Sequence, residues 1–181
     1  MDGIKRFIPL AILVTFLCGL VYVAVHQTLR LSANDPQIQL AEDTAAQLST
    51  QVDKFLITKL PTTDIEKSLA PFVIVYNADG KAVSSSGNLD GKTPIVPPGV
   101  LAYTKEHQED RFTWEPKQGI RIAAVIRHFS GRTSGYVLAG RSLREVEIRE
   151  QLLLKNVQIA WFATLVTTFL ACVIFQERKK K

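Results

Sequence analysis

The chain has 181 residues, a formal net charge of +5 and 46% hydrophobic residues, a length that suggests one ordinary domain with accessory segments. Its basic excess sits in two tails, Lys5 and Arg6 at one end and Arg178, Lys179, Lys180 and Lys181 at the other, so the charge is not a nucleic-acid footprint and no nucleic-acid partner is expected. The two cysteines, Cys18 and Cys172, fall in the apolar ends, which excludes a disulfide framework for the middle.

Residues 7–25 contain no Asp, Glu, Lys or Arg. As a helix they span about 28 Å, close to the hydrocarbon thickness of a bilayer. Pro9 falls in the first turn, where a missing N–H costs little. Residues 157–175 form a second stretch of equal length without charge, with Trp161 and Phe162 near one end as interfacial anchors. The first stretch exceeds the usual apolar core of a signal peptide and is not followed by an A-x-A site, so it reads as a retained anchor. Lys and Arg favour the cytoplasmic side. The expected organisation is therefore a cytoplasmic tail at 1–6, a transmembrane helix at 7–26, an extracytoplasmic domain at 27–155, a second transmembrane helix at 156–176 and a basic cytoplasmic tail at 177–181. The expected location is the cell membrane, with the lipid bilayer as the first partner.

Asp35 and Pro36 suit the start of a helix over 36–58. Ile38, Ala41, Ala45, Leu48, Val52 and Phe55 recur on it at spacings of three and four, a narrow seam that can face a sheet or the same helix of a second chain. A homodimer through this seam is the expectation. A short helix is expected over 62–69. Phe72-Val73-Ile74-Val75-Tyr76-Asn77 is a β-branched and aromatic run, Ala78-Asp79-Gly80-Lys81 a turn, and residues 82–86 the returning strand. Residues 87–98 are a Gly- and Pro-rich loop, followed by a short helix to about His107. Strands are expected at 112–116, 120–129 and 135–140, an antiparallel meander. Ser142 and Glu145 fit a capping box that opens a helix running on into the second apolar stretch.

The fold class expected is α+β: a five-stranded antiparallel sheet with a long N-terminal helix, flanked by two transmembrane helices. Three segments carry a family likeness: Asn34-Asp35-Pro36-Gln37, the hairpin from Phe72 to Gly80, and the exit from Val137 to Glu147. In this order the chain resembles the extracytoplasmic Cache or PAS-like sensor region of bacterial membrane histidine kinases and chemoreceptors. The likeness covers nearly the whole chain. It departs from the family after Phe175, where no HAMP linker or kinase module follows in these 181 residues. A sensor of this kind is expected to act through a separate histidine kinase or other membrane protein. The alternatives are a non-sensing scaffold at the outer membrane face and a truncated kinase relic.

The resemblance implies an unidentified small-molecule ligand between the sheet and the loop-helix insert, with residues 87–107 as a lid. That placement selects Tyr76, Trp114, Arg121 and Arg127. Arg121 and Arg127 share a strand face and could hold a carboxylate, or could be solvated or paired with acids. No nucleophile elbow, HExxH or phosphate loop is present, so no enzymatic activity is expected. Glu106-His107-Gln108-Glu109-Asp110 reads as a solvated charged turn rather than a metal site, and no cofactor is expected. Arg141, Arg144 and Arg149 read as partners of Glu145, Glu147 and Glu150 on an exposed helix face.

Overall fold

The computed structural model describes residues 2–32, 35–50 and 61–178. It divides into two units, one of Met1–Arg30 with Glu147–Lys181 and one of Leu31–Val146.

The first unit pairs helix α1 (Asp2–Ser32) with the greater part of helix α4 (Arg144–Arg178). Both are long and apolar enough to cross a membrane. Their contacts run antiparallel. Phe7 meets Phe169 edge to face at 5.4 Å, Trp161 Nε1 donates to Thr15 Oγ1 at 2.9 Å, and Glu150 Oε1 lies 3.4 Å from His26 Nε2 and 3.3 Å from Arg30 Nε. As the number rises along one helix it falls along the other, so the two form a hairpin. Within it, Thr15, Thr28, Thr164, Thr167 and Thr168 return their hydroxyls to the carbonyl four residues earlier, which satisfies them without water.

The second unit is α+β. Helix α2 (Asp35–Thr50) precedes β1 (Thr63–Asp64), β2 (Phe72–Asn77), β3 (Ala82–Ser85), β4 (Gly87–Asn88), α3 (Val100–His107), β5 (Glu109–Lys117), β6 (Ile120–Ser130) and β7 (Ser134–Ser142). Five strands make an antiparallel sheet in the order β3-β2-β7-β6-β5, and β1 pairs with β4 in a separate parallel ladder. The central strands are apolar on successive residues because both faces are covered. Phe72, Ile74, Tyr76, Ile122, Ala124, Ile126 and Leu138 bury one face beneath α3 and its preceding loop, through Val96, Val100 and Leu101. Val73, Val75, Val137, Phe129, Val125 and Ala139 bury the other beneath α2. Each large side chain taken from water here contributes about 1.5–3 kcal/mol.

Turn chemistry fixes the hairpins. Gly80, at φ 78°, closes the β2–β3 turn, where Asn77 Oδ1 accepts the Lys81 N–H at 2.8 Å. Gly119, at φ 80°, closes β5–β6, and its N–H donates to Glu115 Oε1 at 2.7 Å.

Three expectations change. Residues 63–64 form β1 rather than opening a helix over 62–69: Thr63 N donates to Ser86 O and Ile65 N to Asn88 O, drawing the backbone out beside β4. β5 starts at Glu109, because the charged 106–110 segment supplies both the end of α3 and the first strand pairs, Glu109 and Asp110 opposite Arg127 and Ile126. Over its described part, the seam on α2 is covered by the sheet of its own chain. Ala41, Ala45 and Leu48 are buried against Val73, Val75, Val125, Phe129, Val137 and Ala139 of the same chain, with Ile38 alongside. The alanines permit this, since small side chains bring the helix axis close to the sheet; Val52 and Phe55 lie outside the described residues.

Candidate functional site

The four residues selected as ligand contacts do not converge. Trp114 stands opposite Ile122, and both point into the α3-side core with Tyr76. Side chains alternate along a strand. Arg121 and Arg127 therefore stand on the α2 side with Ala123 and Val125. Arg127 is engaged there: its NH1 lies 2.5 Å from Glu42 Oε1 on α2, and its Nε 3.2 Å from Glu109 Oε2 on β5. Glu109 also receives Arg111 Nε at 2.6 Å. This ladder of alternating charges ties α2 to the edge of the sheet. Arg121 is exposed, and its carbonyl accepts the Leu143 N–H at 2.9 Å.

The lid face is packed with side chains. Leu89, Ile65, Trp114, Tyr136 and Leu138 are all buried in one cluster with Tyr76, and Leu101 closes over the β2–β3 turn. Tyr76 is only 3% exposed, and its hydroxyl has no hydrogen-bond partner among the described residues. Burial removes the water that would stabilise a phenolate, so the Tyr76 phenol is held well above its ordinary value.

A cleft of about 410 Å³ opens on the other side of the sheet, within the size range of small-ligand sites. Leu48, Val75 and Phe129 give it an apolar floor, with Val83, Asp79, Arg132 and Thr133 among its walls. Of the residues selected from sequence, Tyr76 and the seam residue Leu48 border it, whereas Trp114, Arg121 and Arg127 do not. Val83, Asp79, Arg132 and Thr133, which sequence did not select, come from β3 and two turns that are distant in the chain.

The best-defined polar constellation surrounds the start of α4. One residue, Leu143, separates β7 from α4. Arg141 Nε donates to Leu69 O at 3.0 Å, and Arg144 donates through NH1 to Glu66 O at 3.2 Å and through NH2 to Lys67 O at 2.9 Å. The expected surface pairing of Arg141 and Arg144 with nearby glutamates is thus replaced, in these contacts, by a grip on backbone carbonyls of the 64–69 turn. A guanidinium suits this, since its fixed fork reaches two carbonyls at once. Ser142 lies one residue ahead of the N-cap position, and its Oγ accepts the Arg144 N–H at 3.3 Å, a turn bond two residues on rather than the expected capping box. On the opposite side of the same turn, Lys117 Nζ reaches Glu66 Oε2 at 3.0 Å and Asp90 Oδ1 at 3.2 Å. These hydrogen bonds to carboxylates, Glu66 first, raise the Lys117 pKa.

Comparison with known proteins finds no matching family model, no matching curated protein and no matching solved structure.

Proposed function

We propose that this is a two-pass membrane protein of the PAS or Cache kind, in which an extracytoplasmic α+β domain senses a small molecule and passes a change of conformation through α4. The observation that carries this reading is the junction of β7 and α4. A strand bonded to neighbours on both sides, β2 and β6, hands over through a single residue to a helix apolar enough to span a bilayer. A displacement of the sheet then has a short, hydrogen-bonded route into the membrane. Both termini lie in the cytoplasm in this reading, because Lys5, Arg6 and the Arg178–Lys181 cluster flank the two spans. The receiver is a separate membrane protein, such as a histidine kinase.

The ligand site is the α2-side cleft rather than the lid face, because the lid face is already filled by the protein's own side chains. The test is a thermal-shift screen of the full chain in lipid nanodiscs against small acids and amines, repeated with Arg132→Gln. Stabilisation of the wild type that the variant loses supports sensing through the cleft. Stabilisation by no compound contradicts it and favours a scaffold that presents its outer surface to a partner, a reading that the filled lid face supports.

A further inference from the structure

The turn between β1 and β2 is built as a connector. Its own bonds close it tightly: Ser68 N donates to Asp64 O at 2.8 Å, Glu66 N to Asp64 Oδ1 at 3.1 Å, and Ala70 N to Ser68 Oγ at 3.0 Å. One end is fixed to the lid loop. β1 lies alongside β4, Ile65 is buried next to Phe72, and Lys117 links the Glu66 carboxylate to Asp90 in the loop that follows β4. The other end is fixed to the exit, through the Arg144 and Arg141 bonds to the carbonyls of residues 66, 67 and 69. Glu66 serves both: its side chain faces the lid loop through Lys117, and its carbonyl holds Arg144.

We infer that residues 63–69 are a strap coupling the 87–92 loop to the first turn of α4, so that whatever displaces the loop loosens the hold of Arg141 and Arg144 on the start of the exit helix. The chemistry suits a releasable contact. Lys117, Glu66 and Asp90 are each at least 41% exposed, so their pairing exchanges with water at small cost. The arginines hold neutral carbonyls, so letting go leaves no anion stranded in the protein. The turn between the two contacts is short and internally bonded, so it moves as a piece instead of absorbing the displacement.

This inference goes beyond the sensing proposal, whose cleft is not lined by the 87–92 loop, and the coupling itself needs no ligand. It is read by hydrogen–deuterium exchange of the full chain in nanodiscs. Lys117→Met cuts the lid-side tie and leaves both arginines in place; Arg144→Met cuts the exit side. Coupling predicts that Lys117→Met raises exchange in residues 143–150 by about twofold or more, the scale of losing exposed pairs. Reciprocity predicts that Arg144→Met raises it in residues 88–92. Arg111→Met, which removes an exposed cation bonded to Glu109, is the control and leaves both segments unchanged. Exchange that rises only on the substituted side, in either variant, overturns the strap while leaving the ligand screen to judge sensing separately.

Discussion

Replacing Tyr76 with phenylalanine should stabilise the α+β unit. The Tyr76 ring is buried in the α3-side core, 3% exposed, and its hydroxyl is unpartnered. An unmatched buried hydroxyl costs about 1–3 kcal/mol, and phenylalanine keeps the ring while removing that cost. A gain of about 1 kcal/mol is the conservative expectation, a rise in Tm of about 3–6 °C for a domain of this size. The pH dependence adds a second signature. In the folded state the phenol stays neutral well above its ordinary 10.0, whereas in the unfolded chain it ionises there. The tyrosine's contribution is therefore fully present below pH 10 and is lost as pH rises above it. The advantage of the phenylalanine variant should widen by up to about 1.4 kcal/mol per pH unit beyond that point. Thermal unfolding of the full chain in nanodiscs, followed by Trp114 fluorescence in a Trp161→Phe background, reads both effects. A variant less stable than its parent by 1 kcal/mol or more would show that the hydroxyl has a partner and refute the reasoning.

Three further outcomes follow from the packing. Gly135→Ala would drive a Cβ into the Tyr76 carbonyl oxygen, so the β2–β7 ladder must shift; a loss of about 1–3 kcal/mol in the same unfolding assay is expected. Arg127→Met should cost less than about 1 kcal/mol, because its pairs with Glu42 and Glu109 are partly solvated, and the difference should shrink in high salt. Thr15→Val removes the acceptor of the Trp161 bond, and should weaken the helical hairpin by about 0.6 kcal/mol in a steric-trap measurement.

The sequence displayed most of the elements because their signals are local. The Phe72–Asn77 run bounded by Asp79-Gly80, the two uncharged stretches and the meander all depend on neighbours in the chain. What stayed hidden was set by partners far away. A helix was expected over 62–69, and the Asp64 carboxylate does accept the Glu66 N–H, but pairing with Asn88 turned the helix start into a strand. The parity of Arg121 and Arg127 was readable within their strand; the register placing Trp114 opposite Ile122, and so on the other face, was not. The three-four spacing of Ala41, Ala45 and Leu48 correctly marked a buried helix face, yet spacing is blind to whether a sheet or a second helix covers it. The carbonyls gripped by Arg141 and Arg144 lie more than seventy residues away, while tempting glutamates lie three or four away.

The account stands on the α+β domain lying beyond the lipid barrier. With Cys18 and Cys172 changed to alanine, a cysteine at exposed Thr133 tests this in intact cells with a membrane-impermeant maleimide. Labelling at full rate before the cells are opened is the predicted result. Labelling that appears only after permeabilisation would place the domain in the cytoplasm and contradict the account.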